Sequence, residues 1–145
     1  KHDLEPLALA LGYSSVEGFL ASDLGAPIQA RYEELKQQLR ERYPTGWRLV
    51  SEIDNTPLLN EAALADLAEK PDPSPAEEQI LRIAERITLL RMLNAELGIP
   101  SDVGGALIGA TVRQLALPWV GDRRFAELYD RFFMREYGPI RRIAA

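Results

Sequence analysis

Four polar side chains stand where helical spacing turns them toward a core. At about 100° per residue, Arg91 falls between Ile80 and Ala84, and Asn94 falls beside Ile83 and Ile87. In the next stretch Gln114 lies among Leu107, Ala110 and Thr111. Two helices facing one core would bring Arg91, Asn94, Thr111 and Gln114 together. A buried guanidinium needs an answering group, because desolvating it alone is expensive. That answer is an internal acid, a helix C-terminal carbonyl, or an anionic ligand in a small pocket. In a further reading, Arg91 snorkels outward on its long stem. Other reactive chemistry is sparse. The 145 residues include no Cys and one His, His2. Disulfides, thiolate nucleophiles and Cys-ligated metals are excluded, and neither a His-based metal site nor a Ser–His–Asp triad is expected. Glu77, Glu78 and Glu85 have no E-x-x-H partner, and Glu127-x-x-Asp130 has no matching pair on another helix, so both groups read as solvated faces. No catalytic residue, metal or cofactor is assigned, and the balance leans against an enzyme.

A second group could act by contact. Arg124, Arg131 and Arg135 lie within about 40° on one side of a C-terminal helix. Phe125, Leu128, Tyr129, Phe132 and Phe133 form the adjoining side, and Arg141 and Arg142 follow. Arg124, Arg131, Arg135, Phe132 and Phe133 are therefore a candidate interaction surface for phosphate, acidic protein or a membrane face. Asp122, Glu127, Asp130 and Glu136 dilute its charge. The run from Gly104 to Thr111 has the glycine spacing of a phosphate loop, but Ala110 stands where such a loop needs Lys, and no strand precedes it. Gly105, Ala106, Gly109 and Ala110 instead suit close approach by a neighbouring helix.

Residues 7–19 read LALALGYSSVEGF, with Ala8 small, Gly12 at a turn and Phe19 as an anchor. This segment resembles a helix-turn-helix, in particular that of the AraC-type activators, which carry a similar L-G-Y/F-x-S stretch with a Phe seven residues after the Gly. The resemblance implies a DNA-binding transcriptional regulator that reads with residues 16–24. That stretch has no Arg or Lys and carries Glu17 and Asp23, which disfavours DNA.

The elements that must position these groups are helical. No run of β-branched and aromatic residues alternates over five positions; Trp47-Arg48-Leu49-Val50 is the best strand candidate. A first helix spans about 4–11 and stops at Gly12. A second follows Ser14-Ser15, with Ser14 and Glu17 at capping-box spacing. A third runs from Pro27 to Tyr43 with Ile28, Tyr32, Leu35 and Leu39 in one stripe. Residues 44–56 read as a connection, and Thr56-Pro57 opens a helix to Lys70. Ser74, Pro75 and Glu77 start a long helix over 75–97, stopped by Gly98 and Pro100. Ser101-Asp102 caps a sixth helix to about Leu117, and Gly121-Asp122 caps a last one, Arg123 to Tyr137. Trp47 and Trp119 are expected to anchor loops.

The long helix carries Ile80, Ile83, Ile87, Leu90, Asn94 and Leu97 at heptad a and d positions, the pattern of a dimer seam. Leu81, Leu89, Met92 and Leu93 point elsewhere, so its second half is apolar almost all round, as in a central core helix. The expected fold is all-α, one domain over 1–145, an irregular or orthogonal bundle of five to seven helices around 75–97, with a helix-turn-helix-like hairpin at about 4–24. A net charge of −5 argues only for solubility. The apolar run Val103 to Val120 contains Arg113, Gln114 and Pro118 and does not read as a membrane span. With no export signal at its start, the chain is expected in the cytoplasm. The expected function is a non-catalytic regulatory or adaptor module contacting another protein or a second copy of itself. Its two docking candidates are the heptad and the Phe132-Phe133 region. The alternatives are the DNA-binding regulator and a small anionic-ligand sensor or enzyme with a polar pocket around Arg91.

Overall fold

Proline and glycine punctuate the chain, and helices run between them. The computed structural model describes residues 2–42 and 61–144. The expected connection over 44–56, the strand candidate at 47–50, the Trp47 anchor, the Thr56-Pro57 start and Tyr43 lie outside the described residues. The protein is all-α, and the described residues form no strand. In chain order the helices are α1 (Glu5–Ala10), α2 (Val16–Leu20), α3 (Gly25–Arg42), α4 (Glu61–Glu69), α5 (Pro75–Leu97), α6 (Ser101–Ala116), α7 (Arg123–Tyr137) and α8 (Ile140–Ala144), with a 3-10 turn at Leu117–Trp119. They pack around one hydrophobic core.

The helix α5 is the axis of that core, and its ends are set by local chemistry. Ser74 Oγ accepts from the Glu77 N–H at 3.2 Å, and the Glu77 carboxylate accepts from the Ser74 N–H at 2.9 Å, with Pro75 in the first turn. At the other end Gly98 turns left-handed at φ 68°, and the Ile99 N–H donates to the Asn94 carbonyl at 3.0 Å. Four consecutive residues, Ile87, Thr88, Leu89 and Leu90, are buried, because α3, α4, α6 and α7 all pack against this helix. Ile80, Ile83, Ile87, Leu90 and Asn94 are buried within this one chain, while Leu97 is exposed. The heptad row is therefore part of the chain's own core, which corrects its reading as a dimer seam.

Other elements depart from expectation at their edges. Ser15, not Ser14, caps α2, accepting from the Gly18 N–H at 3.1 Å. This helix ends at Leu20 rather than near residue 24, because the chain turns at once into α3. There the Ser22 hydroxyl donates to the Phe19 carbonyl at 2.6 Å and accepts from the Gly25 N–H at 3.0 Å. A Cβ on Gly25 would stand 1.8 Å from the Phe19 carbonyl oxygen, so only glycine fits this corner. Pro100 precedes α6 with no side-chain cap, so Ser101 is the first helical residue instead of the cap. Asp122 caps α7 through the Phe125 N–H at 2.8 Å, and Trp119 packs on Phe125 with ring centroids 5.8 Å apart. The chain does not stop at Gly138-Pro139. Asp130 accepts from the Ile140 N–H at 2.8 Å, and α8 buries Ile140 and Ile143.

Two carboxylates expected on a solvated face are structural instead. Glu77 is 2% exposed and accepts from Lys70 Nζ at 2.8 Å, with Arg124 Nη2 at 3.5 Å. Lys70, and then the Ser74 N–H, hold its carboxyl down to about 2. Glu85 joins Arg40 at 2.9 Å to Arg86 at 2.8 Å. Arg86 Nε in turn lies 2.7 Å from an Asp3 carboxylate oxygen, which also accepts from the Tyr32 hydroxyl at 2.6 Å. This chain of charges ties the N-terminal turn and α3 to α5. Glu78 is exposed, as expected.

Candidate functional site

Antiparallel pairing of α5 and α6 decides which polar residues meet. The Asn94 amide donates to the Gly104 carbonyl at 3.4 Å, and the Gln79 amide donates to the Leu115 carbonyl at 2.9 Å. Position 94 therefore faces 104, and position 79 faces 115. Gly104 and Gln114 are ten residues apart on one helix, about 15 Å along its axis. Arg91 and Asn94 thus cannot share a pocket with Gln114. The expected foursome divides into two clefts, because a helical wheel reports angle and not height.

The first cleft, about 300 Å³, opens between the end of α5 and the start of α6. Arg91, Asn94 and Ser101 supply its polar wall, and Ala95, Ile99 and Ile108 its apolar one. Its floor is at Gly104 and Gly105. Asn94 is 8% exposed. A Cβ on Gly104 would come within 3.0 Å of the Asn94 amide nitrogen, whereas one on Gly105 would meet nothing within 4 Å. The close helix approach is therefore at Gly104, not at Gly105 or Ala106, both of which are exposed. Arg91 is half-buried. Burial pulls its guanidinium below the usual arginine range, and the nearby Tyr137 and Glu136 of α7 partly oppose this. It stays cationic, since arginine does not lose its proton in proteins. Burial in turn raises the Tyr137 hydroxyl.

The second cleft, about 310 Å³, holds Thr111 and Gln114 with Asp3, Leu115, Leu117 and Pro118. Its walls are mostly apolar. Thr111 Oγ1 lies 3.4 Å from the carbonyl oxygens of Asp3 and Leu107 and so serves the backbone. Between the two clefts a void of about 10 Å³ touches both Asn94 and Thr111, room for one water at most.

The second candidate surface comes apart. Phe132 and Phe133 are 5% and 0% exposed, so they belong to the core and cannot dock a partner. The helix α7 is amphipathic as expected, but its apolar side is covered by this chain. Arg124, Arg131 and Arg135 are exposed. Arg124 faces Glu77 and Glu127, and the Arg131 guanidinium lies 5.5 Å from the Phe132 ring centre. A groove of about 410 Å³ beside them mixes Lys70, Arg124 and Arg131 with Asp66, Glu69 and Glu77, so no single sign dominates it. Among the described residues no group of three His, Asp or Glu side chains is placed to hold a metal ion, and no helix is long and apolar enough to cross a membrane.

Residue-by-residue reading missed Ser101, Gly104, Gly105, Ile99 and Ile108 as cleft walls. The signal was the Gly98-Ile99-Pro100-Ser101 corner, which forces α6 back along α5. No protein-family model, no curated protein and no solved structure matches the chain.

Proposed function

We propose that this protein is a non-catalytic regulatory module that binds a small anionic ligand in the cleft between α5 and α6. The observation that carries the reading is the joint placement of Arg91 and the buried Asn94 amide in the wall of a 300 Å³ cleft. Small-molecule sites are concave and mostly apolar, with a few convergent polar groups, and this cleft has that composition. Ser101, the first residue of α6, lines the cleft at the positive end of that helix dipole, with Asp102 in the same turn. The heptad row, apart from Leu97, and Phe132-Phe133 are buried in this chain's own core, which supports the cleft over the adaptor reading. The DNA reading has lost most of its recognition helix, since α2 has five residues and no basic side chain. We place the module in the cytoplasm, which the lack of Cys does not contradict.

Ligand binding to the folded state alone must raise stability. A thermal-denaturation screen of inorganic and organic anions is the direct test. At least one should raise Tm in the parent protein and not in Arg91→Ala. A screen that stabilises nothing, or a gain that survives in Arg91→Ala, refutes the site.

A further inference from the structure

One end of the bundle is both apolar and acidic. Arg31 Nε donates to the Glu96 carboxylate at 2.7 Å, so the start of α3 lies beside the end of α5. The Asn94–Gly104 contact brings the start of α6 to the same end. The Asp3 carboxylate accepts from Tyr32, whereas the Phe19 carbonyl abuts Gly25, about 10 Å earlier along α3. The chain from α1 to α2 therefore climbs to this end as well. Leu9, Leu11, Leu24, Leu97 and Val103 stand there, each 39–51% exposed. They are five of the seven large apolar side chains that the described residues leave exposed. Scattered singly, such side chains would need no explanation; gathered at one end, they mark a contact surface.

Charge decides what fits there. No Lys or Arg occurs in residues 2–30 or 92–112. Glu17, Asp23, Glu96 and Asp102 lie in the same stretches, at this end, and all are exposed. Arg31 holds Glu96, while Glu17, Asp23 and Asp102 pair with no cation among the described residues. We infer that this end docks a basic amphipathic helix of another protein. The apolar stripe of that helix covers Leu11, Leu97 and Val103, and its Lys or Arg side chains meet Glu17, Asp23 and Asp102. Helices that dock in this way anchor through apolar residues at i, i+3, i+4 and i+7. Opposite charge at the rim steers their approach and fixes their orientation.

The same chemistry turns other occupants away. Anionic membranes and nucleic acids meet like charge at this end. A second copy of the chain has a basic row on α7, Arg124, Arg131 and Arg135, but the apolar side of that helix is buried. It offers the charge without the apolar stripe.

Fluorescence anisotropy of a labelled, amidated peptide, LKKLLKLLKKLLKL, tests the inference at constant salt. It has Leu at helical spacing and Lys on the other face. Its counterpart with Glu in place of every Lys is the control. The basic peptide should bind saturably and the acidic one should not. Leu97→Ser with Val103→Ser should weaken binding roughly tenfold or more, since two apolar contacts are lost. Both sites are exposed, so the fold should tolerate the change. Asp102→Lys should weaken binding severalfold. Glu78→Lys makes the same charge change on an exposed residue at the opposite end of α5 and should leave binding unaltered. Backbone amide shifts on adding the peptide should concentrate at Leu11, Leu97 and Val103. Absence of binding, equal binding of the acidic peptide, or indifference to the double substitution overturns the inference. Equal weakening by Asp102→Lys and Glu78→Lys also overturns it, by showing attraction to net charge alone. If the protein sediments as a dimer that Leu97→Ser with Val103→Ser dissociates, a second copy occupies this end and the inference is overturned.

Discussion

The ionisation of Glu77 is coupled to folding, and its environment sets the sign. Its carboxyl is lowered from 4.5 to about 2 by Lys70 and by the Ser74 N–H. A depressed carboxylate stabilises the fold above its unfolded value and loses that contribution as pH falls through the folded one. Stability should therefore drop between about pH 4.5 and pH 2, by up to about 3 kcal/mol. Urea titrations at stepped pH measure this, and Glu77→Gln should flatten the drop. Arg86 is the second such residue. Replacing it with Met removes the cation from between Asp3 and Glu85, and should cost about 2–3 kcal/mol, less than for a fully buried pair because all three side chains keep some contact with water. A loss near zero by urea denaturation would mean that these ion pairs contribute nothing. The cap between Ser74 and Glu77 was legible from spacing, but the burial of Glu77 and the ion pairs of Arg86 were not. Glu77 and Glu85 sit among acidic neighbours on one helix, and only the arrival of α3, α4 and α7 buries them.

At the scale of elements, the ends of helices carry the design. Ser74→Ala removes one half of a reciprocal cap and should lower stability by about 1 kcal/mol. Gly25→Ala should do more, about 2–3 kcal/mol, since the added methyl would overlap the Phe19 carbonyl and push α2 away from α3. Comparing the two by thermal denaturation separates a lost hydrogen bond from a steric conflict; equal losses would contradict the geometry of that corner. The Ser74-Pro75-Glu77 signal was readable because all its partners lie within three residues. The Gly25 corner was not, because its constraint comes from backbone six residues away, after a turn whose course propensity does not determine. The same limit hid α8, whose five residues are held by Asp130 and by burial.

For the whole molecule, the central question is what the apolar row of α5 faces. Its burial against this chain's own helices predicts that Ile87→Ala lowers stability by about 2–4 kcal/mol without changing the oligomeric state. Sedimentation of both proteins at two concentrations, beside a urea titration, checks this. A change in association at unchanged stability would restore the dimer seam.

The sequence by itself determined that the protein is helical, where most helices begin and end, and that 75–97 is the central one. Those properties depend on local capping and on periodicity, which act over a few residues. Tertiary structure alone decided that Arg91 and Asn94 share a cleft with Ser101 and Gly104 while Gln114 lies in another, and that Phe132 and Phe133 point inward. The physical reason is that a side chain's neighbours across a helix pair depend on axial register. Register is set by the turn at Gly98–Pro100 and by the close contact at Gly104, not by position on a wheel.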